Sequence, residues 1–224
     1  MAVAFSRLTI PTASQPMQVL CIDAPDTKPD SPVLLFLHGK GEFGPNLDSL
    51  PLVLRNMAPG YQAIQEQLKG MTVVSPQVPS ESDVWTWSNF VPALTVLLKH
   101  YRDLGRTVVA AGFSRGGRGV LQLNAAEPGL ISKWAIVDPQ RAETEEEEER
   151  LLPKGPNAEG WLRHGKAIAA NTPFAEKVRK QLDPKHGVFA DFKHGELAIK
   201  AFSGERLGGA QHIYEYLDVT STFK

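Results

Sequence analysis

Cysteine is all but missing from this chain: Cys21 is the only one among 224 residues. No internal disulfide can form and no cysteine-based metal cluster exists. A single thiol suits a reducing compartment. An excess of charge is missing too. Lys plus Arg total 24 and Asp plus Glu total 25, a net charge of −1, which gives no electrostatic pull toward nucleic acid or an anionic membrane. No apolar run approaches the roughly 18–20 residues that cross a bilayer. The start, MAVAFSRLTIPTASQPMQ, lacks the basic opening and long apolar stretch of a secretory signal. A soluble, cytoplasmic protein is expected. The six histidines show neither H-x-x-x-H nor H-E-x-x-H spacing, and no Asp-rich loop suggests calcium. The phosphate loop G-x-x-x-x-G-K-[ST] is absent. No metal and no cofactor are expected.

What is present is a globular balance, 42% hydrophobic and 22% charged, at a length that fits one α/β domain spanning 1–224. Short apolar runs at 33–37 (VLLFL), 71–74, 107–111, 134–137, weakly 161–163, and 197–202 (LAIKAF) read as buried strands. Residues 3–10 and 17–22 read as two further strands, too close together for a helical crossover and so an antiparallel edge. Helical spacing appears at 61–69, 90–103, 117–126, 173–182 and 211–217. Strands alternating with helices predict a mostly parallel sheet. The acidic stretch RAETEEEEER at 141–150 reads as a solvated, self-repelling helix or loop. The sharper alternative is a lid or docking element within 141–158.

The strongest local signal is TVVAAGFSRGGRGVLQL at 107–123. A buried strand runs into Gly112-Phe113-Ser114-Arg115-Gly116 and a helix follows. In that context G-x-S-x-G puts a serine on a strained turn above the sheet edge, where it serves as a nucleophile. The glycines let strand and helix approach closely. The backbone N–H of Arg115, at the helix start, points toward any oxyanion formed at Ser114. A second block, FLHGKGEFG at 36–44, follows another buried strand. Its loop is placed to supply a second oxyanion N–H from Lys40, with His38 as a packing histidine.

The blocks FLHGKGEFG, VVSPQVP (73–79) and AAGFSRGGRG (110–119) resemble, in order and spacing, the carboxylesterase, dienelactone hydrolase and "predicted peptidase" branch of the α/β-hydrolase superfamily. The resemblance covers residues 30–140 well and the rest loosely. It implies an α/β-hydrolase fold: a mainly parallel eight-stranded sheet flanked by helices in a three-layer sandwich. It also implies cofactor-free acyl chemistry: hydrolysis of an ester, thioester or related bond of a small-molecule substrate. Acyl transfer and lactone opening share that machinery. A non-catalytic binding protein on the same fold is the rival from another class.

A serine at neutral pH needs a base, and chain order in this fold is serine, acid, histidine. His38 and His100 precede Ser114. His212, in GGAQHIYEY, follows the predicted strand 197–202 and precedes the predicted last helix, where the family places its base; His194 is the alternative. The acid is the departure. Relatives carry Asp a few residues after a strand ending in HG. Here HGKAIAANTPF (164–174) keeps His164, Gly165 and Pro173 but has alanine and isoleucine where Asp would stand, and Asn171 is its only acceptor side chain. Asp138, closing strand 134–137 and followed by Pro139, is the replacement that borders the same crevice. Asp191, Asp183 or no acid are the alternatives. Trp85 and Trp87, in VWTW, either line an acyl pocket or anchor the helix after them.

Overall fold

The computed structural model describes residues 3–13, 16–44, 48–55, 58–64, 68–79, 86–153, 160–165, 170–182, 187–190, 193–205 and 213–217. His212, His186, Asp183, Asp191 and Trp85 lie outside these residues.

Eight strands form one sheet. They are β1 (Ala4–Ile10), β2 (Met17–Asp23), β3 (Val33–Leu37), β4 (Thr72–Gln77), β5 (Val108–Phe113), β6 (Lys133–Val137), β7 (Gly160–Gly165) and β8 (Gly187–Ala190). Their spatial order is β1-β2-β4-β3-β5-β6-β7-β8. β1 pairs with β2, and β2 with β4, antiparallel. Every other pairing is parallel. The N-terminal pair is thus the antiparallel edge that its short connection requires. Parallel strands need crossovers, supplied here by α1 (Pro59–Ile64), α2 (Val91–Asp103), α3 (Arg115–Ala126), α4 (Glu145–Leu151) and α5 (Thr172–Lys180); α6 (His194–Phe202) and α7 (Ile213–Tyr216) follow the last strand.

Strand periodicity divides the core. Leu35 and Leu37 of β3 face one apolar layer with Val120 and Leu121 of α3 and Val178 of α5. Leu34 and Phe36 face the other, with Ala63 of α1, Leu197 and Phe202 of α6 and Tyr214 of α7. Burial on both faces explains why these strands are continuous apolar runs. The strand order reverses at β3, with β4 on one side and β5 on the other. Such a switch point opens a crevice outside the carboxyl ends of the strands.

The last predicted strand is a correction. Residues 197–202 are helical, within α6; the final strand is the shorter β8. Leu197, Ala198, Ala201 and Phe202 are buried whereas Glu196 and Ile199 are exposed. That is a helical stripe, which a six-residue apolar window cannot distinguish from a buried strand.

The acidic stretch is also more ordered than its charge suggests. Four of its glutamates fill the first turn of α4, where the helix dipole favours negative charge. The Thr144 hydroxyl accepts the Glu147 N–H at 3.1 Å, and the Glu147 carboxylate accepts the Glu143 N–H at 2.9 Å. Arg118, buried in α3, donates to Glu147 at 2.6 Å and Glu143 at 3.0 Å, and Gln122 donates to Glu147 at 2.8 Å. The segment is docked on α3 rather than repelled into solvent. These donors hold the Glu147 carboxyl below its ordinary value, against the opposing effect of burial.

Candidate active site

Ser114 stands between β5 and α3 with φ 55° and ψ −118°. That backbone is unfavourable for a residue with a Cβ, by about 1–3 kcal/mol, and persists only where its surroundings enforce it. Here they do. The Ser114 N–H donates to Val137 O at 2.9 Å and its carbonyl accepts the Gln140 N–H at 3.0 Å. The flanking glycines are sterically required. A Cβ on Gly116 would sit 1.8 Å from the Leu37 carbonyl oxygen, and one on Gly112 would sit 2.4 Å from that of Gly116. Helix α3 therefore starts hard against the end of β3.

The loop after β3 closes over the same point. A Cβ on Gly39 would lie 3.2 Å from Ser114 Cβ and 3.1 Å from the Phe113 ring. Lys40, one of the two expected oxyanion donors, is the next residue, and Arg115, the other, is the first residue of α3. His38 holds this loop. Its Nε2 accepts the Val78 N–H at 3.1 Å, which leaves Nδ1–H to donate to Gly39 O at 2.7 Å. Burial pushes its pKa down to about 4, so the ring is neutral. Trp87 belongs to the same support. It is 1% exposed, donates its indole N–H to His38 O at 3.2 Å and packs its ring edge-on to that of His38. This is the anchoring role; a ring so buried has almost no surface for a substrate. Trp85 lies outside the described residues.

Asp138 closes β6, one position beyond the pair Phe113↔Val137. It too has a positive φ, 45°, and is fully buried. Its carboxylate faces three nitrogens. Oδ1 accepts the Gly165 N–H at 2.5 Å and lies 3.0 Å from His164 Nδ1. Oδ2 lies 3.1 Å from His194 Nδ1. Burial on its own would raise the carboxyl pKa; the contacts with His164, His194 and the Gly165 N–H outweigh it and hold the group below its ordinary value. Asp138 is ionised at neutral pH.

His194 is the first residue of α6, immediately after the β8 connection. Its ring lies on that of Phe113, the residue before Ser114, with centroids 4.3 Å apart. Nδ1 is committed to Asp138, and the ring sits beside the residue that precedes Ser114. The expectation for His212 depended on a strand at 197–202. With β8 ending at Ala190, the strand-to-helix connection moves back and delivers His194 to the carboxylate. His212 itself lies outside the described residues. His164, noted in the sequence only as part of an HG pair, is the second imidazole on Asp138. The contacts within this cluster have hydrogen-bond lengths, and no group of three ligand side chains suited to a metal ion occurs among the described residues.

Eight strands in this order, with a strained serine at the β5–α3 turn of the switch point, decide the architecture. The chain has the α/β-hydrolase fold. Neither a family model nor a curated protein matches its sequence. Solved structures of the α/β-hydrolase fold do match. The feruloyl esterase module from Clostridium thermocellum, complexed with sinapinate, aligns with TM-score 0.62 and 14% identity over 90% of this chain and 86% of that one. A thioesterase domain from the curacin biosynthetic pathway gives 0.56 and 14% over 89% and 97%. A thermostable esterase gives 0.57 and 18% over 89% of this chain, which spans 60% of that protein's length. Among the described residues, no helix is long and apolar enough to cross a membrane.

Proposed function

We propose that this protein is a serine hydrolase that cleaves an ester, thioester or related acyl bond of a small molecule through an acyl-enzyme, with no metal or cofactor. One observation carries the reading: a buried, ionised carboxylate on a histidine, beside a serine held in a strained strand-to-helix turn. Ser114 Oγ attacks the acyl carbon and forms the C–O bond. His194 Nε2 takes the serine proton and returns it to the leaving group as the acyl–heteroatom bond breaks. Asp138 fixes the ring tautomer and stabilises the imidazolium. The backbone N–H groups of Arg115 and Lys40 receive the oxyanion. Water, deprotonated by His194, then releases the acid. The esterase and thioesterase names of the structural neighbours agree with this chemistry. Transfer to an acceptor other than water would use the same residues.

The test is reaction of the full chain with a fluorophosphonate probe, followed by mapping of the adduct, together with hydrolysis of p-nitrophenyl acetate. Ser114 should carry the label. Ser114→Ala should lose it, and turnover should fall on the order of 10⁴–10⁶-fold. Unchanged turnover in the alanine variant, free of contaminating esterase, would overturn the assignment.

A further inference from the structure

His164 is an unusual core residue. It is fully buried at the carboxyl end of β7, yet both ring nitrogens face polar atoms. Nδ1 lies 3.0 Å from Asp138 Oδ1, and Nε2 lies 3.1 Å from the Thr172 hydroxyl, at the first turn of α5. The neighbouring ring is Phe189 of β8, at 5.1 Å. The pairing Val137↔Arg163 sets Asp138 and His164 side by side across the parallel ladder.

The proton positions follow from the partners. An ionised carboxylate only accepts, so a neutral His164 must carry its proton on Nδ1. Nε2 is then an acceptor, and the Thr172 O–H donates to it. At 3.0 Å the Nδ1–Oδ1 contact has the length of a hydrogen bond but not its full geometry; catalytic hydrogen bonds in unliganded sites are often misaligned in this way.

We propose that His164 is a positioning residue for the reaction: with the Gly165 N–H it grips Oδ1 of Asp138, so that Oδ2 stays aimed at His194. Without His164, Oδ1 would hold only the Gly165 N–H, and the carboxylate would turn more freely about its χ2, which is broad and soft. The end of β7 carries no acid of its own in this chain. It supplies two donors to the acid that has moved to β6. The proposal rests on Ser114, Asp138 and His194 acting as the triad.

Two substitutions separate positioning from packing. His164→Leu fills the space and removes the donor. His164→Asn puts an amide N–H close to where the imidazole Nδ1–H was. With p-nitrophenyl acetate, the leucine variant should lose on the order of 10- to 100-fold in kcat, short of the roughly 10⁴-fold that follows loss of an orienting carboxylate. Its KM should be unchanged, and the asparagine variant should recover most of the lost rate. In the parent protein, nitrogen-15 NMR of the histidine rings should show the resonance missing from His164→Asn to be an Nδ1–H tautomer. An Nε2–H tautomer, a leucine variant with parental kcat, or an asparagine variant as slow as leucine would each overturn the proposal. If the leucine variant fails to fold, the tautomer and the asparagine variant decide. Failure of the triad itself would show differently, as a parent whose Ser114 takes no fluorophosphonate, and the tautomer measurement is unaffected by that outcome.

Discussion

Replacing Asp138 by Asn tests the reading at its most exposed joint. The Gly165 N–H needs an acceptor at 2.5 Å, so the asparagine oxygen must take that side. The amide NH2 then faces His194 Nδ1 across the 3.1 Å that now holds a hydrogen bond. Two N–H groups cannot face each other, so His194 must shift its proton to Nε2. That nitrogen is then unable to accept the serine proton. The expected loss in kcat/KM is up to roughly 10⁴, or about 5.5 kcal/mol of transition-state stabilisation at 1.36 kcal/mol per decade. Stability should change little, about 1 kcal/mol, because the amide keeps the Gly165 bond. The assay is kcat/KM for p-nitrophenyl acetate at neutral pH, with fluorophosphonate labelling rates falling in parallel. A loss below about tenfold in a folded variant would refute the reasoning, since another group would then be orienting His194. A second readout follows from the lowered carboxyl pKa. A depressed acid contributes stability above its unfolded value of about 3.9, and loses it as pH falls through the lower folded value. The thermal midpoint of the parent should therefore fall more steeply than that of Asp138→Asn below about pH 4.

Three further outcomes are expected. His194→Ala should cost on the order of 10⁴ in kcat whereas His212→Ala should leave it within about tenfold, and the reverse pattern would restore the base to His212. His38, pushed down to about 4 in the fold, is protonated first in the unfolded chain, whose value is about 6.5. Stability should thus fall by up to about 3 kcal/mol as pH drops from about 6.5 to about 4, and urea unfolding of His38→Gln should show a flatter profile; equal slopes would refute this. Arg118→Met should destabilise by about 2 kcal/mol in urea, because it strands the Glu147 carboxylate against α3. Glu147→Gln should then cost little more in the Arg118→Met background, and full additivity would show that the two side chains act separately.

The sheet was legible because its strands are buried on both faces. VLLFL at 33–37 and the run into Gly112 read as covered strands in a chain with this much alternating helical pattern. Ser114 was legible as a motif: glycines at 112 and 116 mark a strand-to-helix turn, and a Cβ at those positions would meet Gly116 O within the turn and Leu37 O at the end of β3. Asp138 was reached by elimination, from the absence of an acid at 166–169 and an Asp closing the neighbouring strand, and its carboxylate meets an imidazole, that of His194. The end of the chain was harder to read. LAIKAF is short enough to satisfy either period, and the expectation for His212 was built on taking it for a strand. The burial of Leu197, Ala198, Ala201 and Phe202 marks it as a helix, and that stripe was present in the residues themselves. The role of His164 had no such signal, because its partners Asp138 and Thr172 lie on different elements.

The sequence by itself determined the α/β alternation, the antiparallel edge and the serine elbow, because each follows from a short connection, a local turn motif or the period of burial. Only the tertiary structure decided which histidine meets the carboxylate, that a second imidazole shares it, and that the acidic run is clamped by Arg118. Those pairings join residues from 25 to 56 positions apart. They depend on strand order and on where β8 ends, and no local preference of the chain encodes either.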